Sequence, residues 1–253
     1  MPTSKNKRVK RPTATPVEQS KAKVVKKPSR FFFYFALASL IIVVAGFAGR
    51  AVMVPERTPV ITITIAVHAM IMLGWYSLVC LQAQHIQRKN TALHMRLGRL
   101  SPVLVAAILI SGTLVTLETY ARRISEGVSG PELAVYLSFS SLLGFAVLYW
   151  LAYRMRGQGD SHKRFMVLAG VAMMLAATFR LAAALGAPRE INAGIIIQYG
   201  LVTALMLYDM RTLKRIHTAT IIGTLVSLAM TIGIFTLGSS DVWASLIQGT
   251  FLP

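Results

Sequence analysis

Long apolar segments alternate with short polar ones along most of this chain, and the pattern predicts an all-α integral membrane protein. A helix that crosses the hydrocarbon core of a bilayer needs about 17–25 mostly apolar residues. Seven segments meet this requirement, at approximately 31–53, 60–84, 101–121, 132–153, 165–186, 191–208 and 218–238. The sequence therefore predicts a bundle of seven transmembrane helices over residues 31–238, followed by a short C-terminal tail at 239–253.

Composition supports a membrane protein and offers little sign of an enzyme. Charged residues make up 14% of the chain, whereas a soluble domain contains about 25%. Cys80 is the single cysteine, so an intrachain disulfide and a thiolate metal site are excluded. The sequence contains no Gly-rich phosphate loop, HExxH string or GxSxG string, which removes the common motif-bearing enzyme classes.

The distribution of positive charge predicts the orientation of the bundle. Residues 1–30 contain ten Lys and Arg and one acid without apolar periodicity, as expected of a disordered basic tail. This tail and the loops after the second, fourth and sixth segments hold 21 of the 27 Lys and Arg. The positive-inside rule then places the N-terminus in the cytoplasm and the C-terminus outside. The basic side is predicted to face an anionic lipid leaflet, with nucleic acid as a minor alternative.

Four polar residues from four segments fall at a similar depth in the outer third of the predicted bundle. They are His68, Glu118, Arg180 and Gln198. Because a charge in hydrocarbon is costly, such residues usually face a bundle interior or a cavity. The pattern predicts an outward-open ligand pocket in which Glu118 pairs with Arg180 and Trp75 forms the floor, with Ser111 on the helix face of Glu118. In the alternative, Arg180 reaches the headgroups and Glu118 is interfacial.

The other four histidines are predicted at the cytoplasmic side, and two of them begin short basic strings. The strings contain His94, Arg96 and Arg99, and His162, Lys163 and Arg164. Their cations favour phosphate or an anionic lipid headgroup. Neutral imidazoles instead suit a transition metal or haem iron, with His68, or His94 and His162, as the ligands. Simple solvation of these histidines is the remaining alternative.

The same two strings carry a resemblance to a family. The chain contains Leu93-His94-Met95-Arg96-Leu97-Gly98-Arg99, then His162-Lys163-Arg164-Phe165-Met166. Together with His68 and Arg180, these strings resemble a loose group of uncharacterised bacterial multi-pass membrane proteins with LHRxLGR and HRRWMxR motifs. The resemblance covers roughly residues 60–186 and departs from the motifs at Met95 and Phe165. It implies a protein of the bacterial inner membrane and brings no activity with it.

Three functions follow as hypotheses. The first is binding or transport of a small molecule through the outer pocket. The second is a membrane redox protein that binds haem or another metal through histidines. The third is an accessory subunit of a membrane complex, whose basic tail docks a protein partner or anionic lipid.

Overall fold

The computed structural model describes residues 29–53, 61–188 and 192–251, which form nine α-helices and no strand. The predicted basic tail lies outside the described residues, apart from Ser29 and Arg30. The helices are α1 (Phe31–Met53), α2 (Ile63–Gln87), α3 (Thr91–Ser125), α4 (Glu132–Arg154), α5 (Gly159–Ala172), α6 (Leu175–Ala184), α7 (Ala193–Leu213), α8 (Thr218–Thr236) and α9 (Asp241–Phe251).

The helices agree with the predicted multi-pass membrane architecture. Six of them are long and apolar enough to cross a membrane, and α5 with α6 forms a seventh candidate span if the bent pair is one crossing. Helix α1 has the predicted bounds, whereas α3 begins ten residues before the predicted 101. Its early start has a local cause, because the Asn90 side chain accepts a hydrogen bond from the Leu93 N–H at 3.1 Å and caps the helix.

The fifth predicted segment is not a continuous helix. Helix α5 ends at Ala172, α6 begins at Leu175, and the two halves are bent by 55°. At the break the Met174 N–H donates to the Val171 carbonyl at 3.0 Å. This bond joins residues three apart, so the chain tightens into a turn in place of the four-residue α-helical spacing. The apolar run 165–186 contains no proline or polar residue at the break, so the bend could not be predicted from the sequence.

The bent pair runs the length of the bundle beside α1. Near its start, the Arg164 guanidinium lies 5.8 Å from the centre of the Phe32 ring. Near its end, the Ala184 methyl lies 3.4 Å from where a Cβ would stand on Gly49. Phe32 and Gly49 are separated by about 26 Å along α1, given a rise of about 1.5 Å per residue. These contacts favour counting α5 and α6 together as one crossing.

Two ends of the bundle can be distinguished by contacts between helix termini. At the first, which we name the basic end, the start of α1 meets the end of α7, where Phe31 stacks on Tyr208 at 4.0 Å. The α2–α3, α4–α5 and α7–α8 connections lie at the same end. The opposite end, which we name the far end, contains the α3–α4 connection and helix α9.

Residues 239–253, predicted as a tail, contain the packed helix α9. The Trp243 indole N–H donates to the Glu132 carbonyl at 2.9 Å, and the Gln248 amide donates to the Glu132 carboxylate at 2.8 Å. Ile247 packs with Tyr120 and Val135. The segment predicted as a tail therefore includes a packed helix, which at eleven residues is too short to resemble a transmembrane span.

Candidate functional site

Two of the four predicted outer residues lie in contacts between α2 and α3. The His68 Nδ1 lies 2.9 Å from the Ser111 hydroxyl, so Ser111 is a polar neighbour of this histidine. The Glu118 carboxylate lies near the hydroxyls of Thr62 and Thr64, at the start of α2. Both residues therefore join the same pair of helices, and each has a partner there.

Arg180 does not pair with Glu118. Among the ion pairs of the described residues, none joins these two side chains. Arg180 lies on α6, where its guanidinium stands 4.6 Å from the centre of the Phe47 ring of α1 and donates to the Ala176 carbonyl at 2.9 Å. The predicted pair was wrong because α6 packs against α1, whereas Glu118 faces α2.

Trp75 and Gln198 are both buried and have different contacts in the core. Trp75 is fully buried, with its ring centre 4.9 Å from that of Phe145 and 5.9 Å from that of Tyr149. Gln198 is buried on α7 and donates its amide to the Val171 carbonyl at the α5–α6 break, at 2.8 Å. The predicted outer residues thus hold four separate positions, and their contacts do not unite them in one pocket.

The two histidines of the basic strings are brought together at the basic end. His94 lies in the first turn of α3, and His162 lies in the first turn of α5. Their ring centres are 6.3 Å apart, and the ring planes are nearly perpendicular. They are 68 residues apart in the sequence. The end of α4 supplies the backbone carbonyl that holds the His162 ring.

A hydrogen bond to a backbone carbonyl fixes the tautomer of His162. The His162 Nδ1 lies 2.9 Å from the Ala152 carbonyl oxygen. A carbonyl only accepts, so Nδ1 carries the proton and Nε2 carries the lone pair. The His94 ring lies near the Gln82 carbonyl, and its buried Nδ1 has no hydrogen-bond partner.

The spacing of the two rings can be compared with that of histidines that bind a metal ion. Metal-binding histidines usually donate their other ring N–H to a carbonyl or carboxylate, which orients the ring. With metal–nitrogen bonds of about 2.0–2.1 Å, two imidazoles on opposite sides of one ion have ring centres roughly 6 Å apart, and about 5 Å apart at a tetrahedral angle. The observed 6.3 Å fits the first arrangement. In the described part of the chain, no group of three or more His, Cys, Asp or Glu is placed to hold a metal.

The cations of the two strings do not join the histidines. Arg96 and Arg99 are exposed on α3, because their positions in the helix direct them away from the face that carries His94. Lys163 forms an ion pair with Asp160. The basic strings therefore produce an exposed cationic surface around a more enclosed pair of imidazoles.

Arg164 was predicted to bind an anionic headgroup, but it is 1% exposed and already paired. Its Nε donates to the Asp209 carboxylate at 2.9 Å, and its Nη1 donates to the Asp160 carbonyl at 2.8 Å. The second Asp209 oxygen accepts from the Thr220 hydroxyl at 2.6 Å and from the His217 backbone N–H at 3.1 Å. The prediction was wrong because the charge of Arg164 is neutralised inside the bundle, where it joins α5, α7 and the start of α8.

Asp209 and His217 take part in these contacts, although the sequence had suggested no role for either residue. The signal for Asp209 was present, since it is an acid at the end of an apolar segment, where an unpaired charge is costly. His217 caps α8, and its Nδ1 accepts a hydrogen bond from the Ala219 N–H at 3.1 Å. Burial and the neighbouring Arg164 guanidinium lower the pKa of His217 below its ordinary value.

Comparisons with protein families, with curated proteins and with solved structures gave no significant match to this chain.

Proposed function

We propose that this multi-pass membrane protein binds a transition-metal ion between His94 and His162. The observation that carries the proposal is the 6.3 Å separation of two imidazoles, of which the His162 ring is oriented by the Ala152 carbonyl and the His94 ring has a buried, unpaired Nδ1. Imidazole is a common ligand of copper, zinc and iron. Of the three hypotheses, this supports the redox or metal-binding protein over a pocket of His68, Glu118 and Arg180, since those residues have separate partners.

The surroundings favour an ion of low charge. Arg96, Arg99 and Lys163 raise the positive potential around the pair, and with few further ligands a bare dication would be poorly compensated. A monovalent copper ion, or iron whose charge is reduced by a porphyrin, suits two imidazoles on opposite sides better than tetrahedral zinc does. In both cases a transition metal is bound by imidazole nitrogens.

Metal analysis and absorption spectra of the purified protein test the proposal and distinguish haem from a bare metal ion. A Soret band identifies haem, whereas copper at about one equivalent without that band identifies the bare ion. His94→Ala and His162→Ala are each expected to abolish binding. His68→Ala is the matched control, because that histidine bonds Ser111 instead. Retention of metal by both His94→Ala and His162→Ala, or its absence from the wild-type protein after loading with copper or haem, would refute the proposal.

We further propose that the basic end faces the cytoplasm of a bacterium and rests against anionic lipid, with the C-terminus outside. The support is the excess of Lys and Arg at that end, which includes the exposed Arg96 and Arg99. In a Cys80→Ser background, a membrane-impermeant maleimide applied to intact cells should label Ser129→Cys at the far end and spare Asn90→Cys at the basic end. The opposite labelling would reverse the orientation.

A further inference from the structure

A second polar site lies at the break between α5 and α6. A small cleft, with an accessible volume of about 10 Å³, is bounded by α4, the α5–α6 break, α7 and α8. Its lining combines apolar side chains with five polar ones, which are Ser140, Ser141, Gln198, Ser227 and Thr231. Metals at His94 and His162 would not reach it, because those histidines lie at the basic end. The inference is therefore independent of the proposed function.

Gln198 presents an unpaired acceptor at this cleft. The side chain is only 5% exposed, and its amide nitrogen donates to the Val171 carbonyl at 2.8 Å. The opposite amide orientation would place two acceptors in contact, so this bond fixes the orientation. The Oε1 atom is buried and has no hydrogen-bond partner. Buried polar atoms nearly always have a hydrogen-bond partner, so an unpaired atom of this kind indicates a bound ligand or an ordered water.

The hydroxyl groups around Gln198 also present acceptors. Ser140 donates to the Leu137 carbonyl at 3.2 Å, and Ser227 donates to the Gly223 carbonyl at 3.0 Å. Each hydroxyl has one proton to donate, and these protons are used within the hydroxyl's own helix. What remains for the cleft is oxygen lone pairs.

Thr231 follows the same pattern. Its hydroxyl donates to the Ser227 carbonyl at 3.1 Å and accepts from the Tyr199 hydroxyl at 2.9 Å. The hydroxyl protons of Ser140, Ser227, Thr231 and Tyr199 are thus engaged by the protein, and the Ser141 hydroxyl is the one in the lining that forms no hydrogen bond to the described residues. Acceptor oxygens come from α4, α7 and α8 and outnumber the free donor, which suits a cation better than an anion.

We propose that this cleft binds a small monovalent cation the size of sodium. Oxygen ligands are the preferred partners of hard cations, and divalent calcium and magnesium sites add carboxylates, of which this lining has none. A broken membrane helix is also where irregular backbone is tolerated, because it lines a cavity at that depth. The bend of α5 against α6 then has a role, since it leaves room for Gln198 beside the break.

Thermal unfolding of the purified full-length chain in detergent tests the site. The midpoint temperature is measured in sodium, lithium, potassium and choline chloride at constant ionic strength. A ligand that binds only the folded state raises the midpoint with its concentration, so we expect a rise of a few degrees between 1 and 100 mM sodium over choline. The Gln198→Leu substitution should remove this rise, and Gln198→Glu should enlarge it by adding a negative charge.

Serine substitutions keep the test decisive if Gln198→Leu does not fold. The double variant Ser140→Ala and Ser227→Ala should lose most of the sodium-dependent rise. Ser138→Ala is the matched control on α4, because that hydroxyl donates to the Ala134 carbonyl and is not part of the cleft lining. Equal midpoints in sodium and choline for the wild-type chain, or an unchanged sodium effect in the serine double variant, would overturn the proposal and leave water as the partner of Gln198.

Discussion

Removal of Asp209 should destabilise the protein strongly, because it leaves a buried guanidinium without a counter-charge. Asp209 is fully buried, and its carboxylate is the partner of Arg164, which is 1% exposed. Truncating one member of a buried ion pair costs about 3–5 kcal/mol. Loss of the carboxylate also removes acceptors from the Thr220 hydroxyl and the His217 N–H. We therefore expect Asp209→Ala to lie at the upper end of that range.

The chain offers a matched control for this prediction. Asp160 also forms ion pairs with Arg164 and Lys163, but its side chain is 70% exposed. Exposed pairs contribute about 0–1 kcal/mol, so Asp160→Ala should change the free energy of unfolding far less. For a chain of this size, each kcal/mol shifts the midpoint temperature by about 2–4 °C.

A double-mutant cycle completes the test by thermal or detergent-induced unfolding. Replacing both partners, as in Arg164→Met with Asp209→Leu, removes the buried charges together. This double variant should recover much of the stability that Asp209→Ala loses, since an apolar replacement of a buried pair is often neutral. An effect of Asp209→Ala no larger than that of Asp160→Ala would show that the pair does not stabilise the basic end.

Three further predictions concern single side chains. Because the pKa of His217 is lowered in the folded state, its contribution to stability is complete above its ordinary value of about 6.5 and declines as the pH falls below it. His217→Asn, which can still cap α8, should reduce this pH dependence in unfolding midpoints measured from pH 8 to 5. Gly46→Val should destabilise the α1–α6 contact, since a Cβ there would overlap the Ala177 carbonyl, whereas Gly74→Ala meets open space and should change the midpoint by less than Gly46→Val does. Trp75→Phe should change the free energy of unfolding little, because the buried indole N–H has no hydrogen-bond partner. Trp75→Ala should lower the free energy of unfolding by about 3–5 kcal/mol because it leaves a cavity. Equal midpoints for the two variants would contradict this.

The membrane architecture could be predicted from the sequence because it depends on length and apolarity alone. Helix α1 has its predicted bounds of 31–53, since few other structures satisfy the backbone of so long an apolar run in lipid. Lateral packing could not be predicted in the same way. The depth in the bundle, as estimated from position along each segment, placed Glu118 and Arg180 in one layer. It does not show which helices are neighbours.

The candidate site was predictable in its residues and not in its arrangement. His94 and His162 stood out because each begins a basic string, yet only the structure places their rings 6.3 Å apart. Arg164 was assigned to the surface with its neighbours in sequence. A helix turns by about 100° per residue, so adjacent positions face different directions. Arg164 therefore reaches Asp209 inside the bundle, while Arg96 and Arg99 remain exposed.

The broken helix divides one crossing into two parts with separate anchors. Helix α5 is held at the basic end through Arg164 and Asp209, and α6 is held against α1 where Gly46 meets Ala177. A continuous helix would transmit a tilt at one end to the other as a rigid rod. Here the turn at Met173 and Met174 lies between the two anchors. We therefore expect a change in the angle of the half that carries Arg180 to be transmitted less directly to the half that carries His162 than it would be along one continuous helix.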